Sequence, residues 1–141
     1  FDRISSSTND LVKTITNYMN DTIDHLALVF HRFLEDGVKI FVNNNEVVAI
    51  DPFLANHKST QILRKQYINI NNSIITVQPY ILPYLNKLTR EDIKKVGGKD
   101  DLKNNQGFYI YRNKRLIIWG TWFRLIKKEE LSKLARIYLL R

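Results

Sequence analysis

The chain has 141 residues, enough for one domain with a buried core, and its 44% hydrophobic and 26% charged residues are typical of a globular protein. It has no cysteine, which excludes disulfides and thiolate metal sites, fits a reducing compartment and leads us to expect a cytoplasmic protein. Its net charge of +8 favours an anionic partner, and its apolar runs are shorter than the roughly 20 residues that span a bilayer, so no membrane partner is predicted.

The first quarter of the chain predicts one long helix. Apolar side chains recur with a period close to 3.6 over residues 9–36, at Leu11, Ile15, Tyr18, Met19, Ile23, Leu26, Phe30 and Phe33. The polar residues 6–9 can cap its start, and Gly37 is placed to end it. The polar stretch before this pattern predicts a loop over residues 1–8.

Alternating, β-rich segments then predict three hairpins. The paired strands are residues 38–42 with 46–50, 62–70 with 73–80, and 107–111 with 116–120. Asparagine tolerates left-handed backbone, so the Asn-rich runs 43–45 and 71–72 predict tight turns. The third hairpin is the clearest, and its predicted tip is the basic run 112–115.

The remaining segments predict two helices. Thr89 and the acidic residues after it are typical of a helix start, and Gly97 is placed to end this short helix. Residues 99–105 predict a charged loop, and the apolar spacing over residues 129–140 predicts a C-terminal helix. The expected fold is therefore α+β, with a long N-terminal helix and an antiparallel or mixed sheet of about six strands.

The chain shows no complete catalytic or metal-binding motif. It has no phosphate-binding glycine loop, no dinucleotide fingerprint and no nucleophile elbow, so we expect no catalytic residue in the isolated chain. The three histidines, at positions 25, 31 and 57, lack metal-ligand spacing. Asp51 with Asp92 and Lys94 loosely matches a divalent-metal nuclease, but acids at a helix start are more often caps. The nuclease is kept as a remote alternative.

The basic tip of the third hairpin can be interpreted in two ways. Arg112, Lys114 and Arg115 lie close in sequence to Tyr109 and Tyr111, and aromatic rings among cations are typical of nucleic-acid binding. Alternatively, the tip is simply solvated and the aromatic residues alternate into the core. In a strand, Tyr109 and Tyr111 fall on one face and their neighbours on the other.

Several segments together carry a family resemblance. Residues 106–117 read QGFYIYRNKRLI and are followed by Gly120-Thr121-Trp122 and by Leu134-Ala135-Arg136-Ile137. These segments resemble the region after the ATP-binding domain of bacterial histidine-kinase-like (GHKL) ATPases. Three upstream segments fit the same family in the same order, namely Phe30 to Leu34, residues 40–47 and Asp51 to Leu54. The most similar groups are the heat-shock-chaperone-like and Microrchidia-like proteins. The resemblance covers most of residues 26–138.

This resemblance implies a transducer-like domain over residues 38–141 and a linking helix over residues 1–37 that ends a removed ATP-binding domain. That upstream domain would be the partner that holds ATP and Mg²⁺, and the parent protein would be an ATPase that closes as a homodimer. The isolated chain would then bind no cofactor and be inactive. A cation of the transducer reaches the terminal phosphate in this family, and the candidates are Arg112, Lys114 and Arg115, with Gln106 as a polar neighbour.

The chain opens at Phe1 without Met and stops in an apolar segment, which we also interpret as a fragment.

Overall fold

The protein is described by a computed structural model that covers residues 2–125 and 134–140. Its helices are α1 (Asp2–Val29), α2 (His31–Glu35), α3 (Arg90–Lys95) and α4 (Lys99–Asn104), with a 3₁₀ turn at Leu85–Lys87. Its strands are β1 (Phe41–Val42), β2 (Asn45–Glu46), β3 (Gln61–Ile62), β4 (Gln66–Ile70), β5 (Ser73–Ile81), β6 (Gly107–Arg112), β7 (Arg115–Thr121) and β8 (Ala135–Leu140). The α+β prediction is confirmed.

The N-terminal helix is longer at its start and broken at its end compared with the prediction. The loop predicted over residues 1–8 is wrong from Asp2 onward, because α1 already begins there, while Phe1 lies outside the described residues. Phe30 separates α1 from the short α2. Gly37 ends the helical region with a φ of 99°, a left-handed backbone that glycine adopts without a steric penalty.

The main sheet is mixed. Its strand order is β3-β5-β8-β6-β7, and β4 pairs with β5 as well. The β6–β8 pair is parallel, whereas the other pairs are antiparallel. Strands β1 and β2 form a separate short hairpin, so the longer strands predicted over residues 38–42 and 46–50 shrink to two residues each.

The three predicted turns are confirmed. Each hairpin is closed by two consecutive residues with positive φ, the pattern of a type I′ turn, which matches the right-handed twist of the flanking strands. The residues are Asn43 and Asn44, Asn71 and Asn72, and Asn113 and Lys114. The start of α3 is confirmed as well, because the Thr89 side chain accepts from the Asp92 amide and the Asp92 side chain accepts from the Thr89 amide.

Two other predictions are wrong. The C-terminal helix predicted over residues 129–140 is replaced from Ala135 to Leu140 by β8, which lies between β5 and β6, while residues 129–133 fall outside the described part of the chain. A central strand is apolar on both faces, so its short apolar run can be mistaken for a helix. The loop predicted over residues 99–105 is helical as α4, whose first turn carries Asp100 and Asp101.

The predicted strand 62–70 is interrupted. Leu63 still donates its amide to the Pro79 carbonyl, 3.0 Å away, but the pairing then breaks before β4 begins at Gln66. The side chain of Gln78 bridges this break by donating from Nε2 to the Leu63 carbonyl at 2.6 Å. The outer side of β5 therefore carries two short strands rather than one long one.

The core lies on one face of the sheet, under the end of α1 and the segment around Phe53. The Phe53 ring packs on a set of tyrosine rings with centroid distances from 4.6 to 6.5 Å, namely Tyr80, Tyr109, Tyr111 and Tyr138. Leu54, Leu82 and Leu102 complete this aromatic centre. Within the described ranges, no helix is both long enough and apolar enough to cross a membrane.

Candidate functional site at the helix–hairpin contact

The basic tip of the β6–β7 hairpin is exposed to solvent, and the pairing of β6 with β7 fixes which residues form it. Arg112 pairs with Arg115 across the turn, and Tyr111 pairs with Leu116 one step further in. Arg112, Lys114 and Arg115 all have exposed side chains. The three predicted phosphate-sensing cations are therefore brought together at one end of the sheet.

Two of these cations bind the helical region. The Nζ of Lys114 donates to Oδ2 of Asp36 at 2.7 Å, directly after the end of α2. The guanidinium of Arg115 lies 5.5 Å from the ring centroid of Phe30, at the break between α1 and α2. The side chain of Arg112 has no hydrogen bond or ion pair with any residue of the described ranges.

A buried hydrogen bond completes the contact. The Nε2 of His31 lies 2.6 Å from the hydroxyl oxygen of Tyr111, and both residues are only 1% exposed. On the other side of the ring, Nδ1 lies 3.4 Å from Oε1 of Glu35. A carboxylate can only accept, so Nδ1 carries a proton, and in the neutral form of the ring Nε2 accepts from the Tyr111 hydroxyl. We call the pairs Lys114–Asp36, Arg115–Phe30 and Tyr111–His31 the helix–hairpin contact.

The ionisable groups of this contact are tuned by burial and hydrogen bonding. Desolvation raises the pKa of Tyr111, so its hydroxyl stays protonated and can donate. The hydrogen bond from His31 holds the pKa of Glu35 below its ordinary value, against the opposing effect of burial, and nearby positive charge at His31 and Arg32 lowers it further. The Arg32 guanidinium lies 4.8 Å from the ring centroid of the partly buried Tyr138 and 5.8 Å from that of the buried Tyr111, which places a cation beside both rings.

The structure corrects the proposed nucleic-acid role of the two tyrosines. Tyr109 and Tyr111 do share a face of β6, as alternation predicts, but that face is the core, and both are 1% exposed. The Tyr109 hydroxyl donates to the Asn105 carbonyl at 2.7 Å, and burial raises the pKa of Tyr109 to about 12. Neither ring can stack on a base without opening the core, so only the three cations remain as nucleic-acid candidates.

Gln106 is not a neighbour of the basic tip. It precedes β6 at the end opposite the tip, about 20 Å away for six residues of strand. It is buried, its Nε2 donates to the Lys103 carbonyl at 3.1 Å, and its Oε1 accepts from the Ala135 amide at 3.3 Å. Its role is to join α4 to β8, which corrects the predicted phosphate contact.

The two acidic residues of the nuclease alternative, Asp51 and Asp92, form hydrogen bonds within their own turn and helix start. Asp51 accepts from the amides of Phe53 and Ala55, at 2.9 Å each, and so fixes a turn. Asp92 caps α3 by binding Thr89. No group of three or more His, Cys, Asp or Glu side chains that could hold a metal ion occurs within residues 2–125 and 134–140. The side-chain oxygens of Asp51 and Asp92 are thus both used in local structure.

Sequence reasoning missed one unusual residue, Arg136. Its guanidinium is 1% exposed, donates to the carbonyls of Pro52 and Asp101, and lies 5.4 Å from the Tyr109 ring centroid. Burial lowers the pKa of Arg136 because desolvation disfavours its charge. Arg136 lies on the same face of β8 as Tyr138, but only once residues 135–140 are known to form a strand does the sequence place it there.

Arg136 also lines a cavity of about 200 Å³ between α1, α4 and β7. His25 and Trp119 face each other across part of its wall, with ring centroids 5.9 Å apart. A larger groove of about 790 Å³ runs between α1 and α3, with Ile23, Ala27 and Ile93 in its lining. Neither space includes the three cations of the hairpin tip in its lining.

Comparisons of the chain with protein-family models, curated proteins and solved structures gave no significant match. The resemblance to GHKL-type ATPases therefore rests on the sequence segments quoted above. The helix–hairpin contact is supported by the distances between its residues and not by any related protein.

Proposed function

We propose that the chain is a non-catalytic, transducer-like module of a GHKL-type ATP-binding protein, which senses a phosphate at the β6–β7 tip and transmits its presence to the N-terminal helix. The family is suggested by the sequence segments around residues 106–117. The observation that carries the mechanism is the helix–hairpin contact, because the same hairpin that presents three cations also holds the α1–α2 junction.

The Lys114–Asp36 ion pair is suited to sensing because it is easily exchanged. The side chains are 60% and 54% exposed, and exposed ion pairs contribute only about 0–1 kcal/mol. A phosphate carries more charge than one carboxylate and offers several acceptor oxygens, so it can compete for Lys114. Arg112 could bind the same phosphate without giving up a hydrogen bond or ion pair to any residue of 2–125 or 134–140.

The other two pairs are suited to transmission. Loss of the Lys114 contact frees Asp36 at the end of α2, while the buried Tyr111–His31 bond and the Arg115–Phe30 contact lie on the same short stretch of helix. This stretch continues into α1, which has 28 residues and a length of about 42 Å. A small change at the tip can therefore be carried to a distant surface by a rigid element.

The fit to ATP and Mg²⁺ is partial. Three exposed cations suit the terminal phosphate oxygens, but the described ranges contain no acidic cluster for a metal ion. In this proposal ATP and Mg²⁺ are held by the upstream ATP-binding domain, which is the module's partner in the parent chain, and the parent acts as a homodimer. When bound there, ATP supplies the phosphate that the tip detects.

The proposal can be tested by titrating the ¹⁵N-labelled chain with inorganic triphosphate at low salt. We expect amide shifts at Asn113 and Lys114 and, with the same apparent Kd, at Asp36 and Gly37. In Lys114→Ala the shifts at Asp36 should largely vanish. The matched control is Lys13→Ala, an exposed lysine on α1 whose removal changes the net charge equally, from +8 to +7. Shifts confined to the tip would remove the transmission step, and no shifts at the tip would remove the sensing step.

Activity gives a second test. The isolated chain should not hydrolyse ATP, and turnover should appear when the upstream domain is restored and fall in the triple variant R112A/K114A/R115A. Turnover by the isolated chain would contradict the assignment of a non-catalytic module. Binding of single-stranded oligonucleotide that is tighter than triphosphate binding and steeply salt-dependent would favour the nucleic-acid alternative, for which the net charge of +8 is the supporting observation.

A further inference from the structure

Strand β4 is an outer strand with an open edge and exposed apolar side chains. All five of its residues are exposed, and its sequence QYINI has no charge and no proline. Tyr67 is 67% exposed, Ile68 is 44% and Ile70 is 49%. No strand of the described part of the chain pairs with its outer edge. Natural edge strands are usually protected by charge, proline or bulges, and β4 has none of these along its length.

The backbone groups that β4 directs outward follow from its register with β5. Ile70 and Ser73 flank the two-residue turn and form a hydrogen-bonded pair, and such pairs alternate along an antiparallel ladder. Ile68 and Gln66 are therefore bonded to β5, whereas Tyr67 and Asn69 point their N–H and C=O groups away from it. These two residues are the hydrogen-bonding positions of the open edge.

We infer that this edge pairs with β4 of a second copy of the chain, in an antiparallel, two-fold symmetric contact centred on Ile68. In this register the outward N–H and C=O groups of Tyr67 form hydrogen bonds with those of Asn69 in the second copy, and those of Asn69 with Tyr67 of the second copy. Every outward backbone group of β4 then has a partner. Ile68 of one copy lies opposite Ile68 of the other across the two-fold axis. The two residues form a non-hydrogen-bonded pair, the kind in which the side chains lie closest.

Charge favours this arrangement over the alternatives. In the antiparallel register the basic pair Arg64 and Lys65 lies opposite Asn72 and Asn71 of the second copy, so no like charges face each other. Parallel pairing would instead set both basic pairs side by side, which is destabilising. Because the contact is two-fold, it consumes both edges and closes as a dimer rather than growing into a fibre.

Strand β7, at the opposite end of the sheet, is a poorer edge for pairing. Strand β7 pairs with β6 through two register shifts, between Phe108 and Ile110 and between Ile110 and Tyr111. Such irregularities bend a strand and disfavour regular pairing with another chain. The β4 edge is thus the regular one, and the contact does not depend on phosphate or on the proposed sensing function.

A cysteine cross-link provides a direct test, because the chain has no cysteine of its own. In an Ile68→Cys variant the two sulfurs would face each other across the two-fold axis, at a Cβ separation of about 4.5–5.5 Å that a disulfide can bridge with little adjustment. We expect rapid formation of a covalent dimer under mild oxidation. A Val48→Cys control, at a position that is 77% exposed, should remain mostly monomeric. Equal cross-linking in both variants, or none in the first, would overturn the inference.

Sedimentation of the unmodified chain gives the second measurement. We expect a concentration-dependent dimer whose association weakens at least tenfold in Ile68→Lys, which sets two like charges against each other, and in Asn69→Pro, which removes an outward N–H but no β4–β5 bond. Val48→Lys adds the same charge elsewhere and should leave association unchanged. A chain that stays monomeric up to its solubility limit, or a dimer insensitive to both β4 variants, would show that another partner or another surface is involved and would refute the proposed contact.

Discussion

The Nε2 atom of His31 lies 2.6 Å from the Tyr111 hydroxyl oxygen, across 80 residues of sequence, and joins the short helix α2 to the strand that carries the basic tip. This bond is buried, whereas the Lys114–Asp36 pair of the same contact is exposed. The helix–hairpin contact therefore combines one bond that fixes the position of the helix with one that can exchange partners. The two bonds differ in their expected response to mutation.

Tyr111→Phe should destabilise the fold by about 1–3 kcal/mol, because it leaves a ring nitrogen of the buried His31 without its partner. The measurement is the free energy of unfolding in urea. Tyr67→Phe is the matched control, since that hydroxyl is on a side chain that is two-thirds exposed, and it should change stability little. Equal effects of the two substitutions would mean that the His31 bond contributes nothing beyond packing.

The response to acid should depend on Glu35. Its pKa in the folded protein lies below the ordinary value of 4.5, chiefly because of the hydrogen bond from His31. The unfolded chain then binds the proton more readily, so the Glu35 contribution is fully present above pH 4.5 and is lost as pH falls through the lower, folded pKa. Glu35→Gln should therefore reduce the loss of stability on acidification below that pH, measured by urea unfolding. A Glu91→Gln control that flattens the profile as much would contradict this assignment.

The turns and the capped helix could be predicted from sequence because their causes are local. Asn71 and Asn72 adopt positive φ with little strain, and Thr89 and Asp92 cap each other within four residues. The basic tip was found for the same reason, because a hairpin places its turn residues in solvent whatever the rest of the fold does. Nothing beyond a few neighbours is required to place these residues.

The errors at the C-terminal strand and in the candidate site concern residues whose structure is decided by distant partners. Leu139 and its neighbours form a strand because β5 and β6 flank them, and the paired residues Val77 and Ile110 are 62 and 29 positions away in sequence, so no local pattern contains that information. The burial of Tyr109 and Tyr111 depends on which face of β6 the Phe53 segment covers. Gln106 was misplaced because its partner, the Ala135 amide, belongs to a strand that was predicted as a helix.

Two glycines with nearly equal φ angles should respond differently to alanine. Gly98 has a φ of 123° and open space where a Cβ would lie, whereas Gly107 has a φ of 124° and its Cβ would collide with the Thr121 backbone in β7. Gly98→Ala carries only the backbone strain of an extended, positive-φ conformation that is essentially restricted to glycine, about 1–3 kcal/mol. Gly107→Ala should be clearly more destabilising in thermal or urea unfolding, because the β6–β7 pair must separate. Equal losses would indicate that β6 and β7 are not in close contact at this point.

Arg136 should not be replaceable by lysine. Its planar guanidinium reaches two backbone carbonyls, Pro52 and Asp101, on different segments, and a single ammonium cannot satisfy both in the same geometry. We expect Arg136→Lys to lower the free energy of unfolding by about 1–3 kcal/mol, since a buried acceptor is left unpaired. The exposed Arg112→Lys should have almost no effect. A similar stability of both variants would imply that the cavity beside Arg136 supplies water to the abandoned carbonyl.

The strength of the Lys114–Asp36 pair decides whether the proposed exchange can work. A double-mutant cycle with Lys114→Ala and Asp36→Ala should give a coupling energy of about 0.2–1 kcal/mol that falls as salt is added, because both groups are more than half exposed. The Lys39–Glu46 pair, at 3.4 Å and similarly exposed, is the matched control cycle. Saturating triphosphate should abolish the Lys114–Asp36 coupling. The Lys39–Glu46 coupling should fall only as much as it does when salt of the same ionic strength is added. A coupling above about 2 kcal/mol, or one that persists with triphosphate bound, would mean that Lys114 does not exchange Asp36 for phosphate and that the tip transmits nothing through this pair.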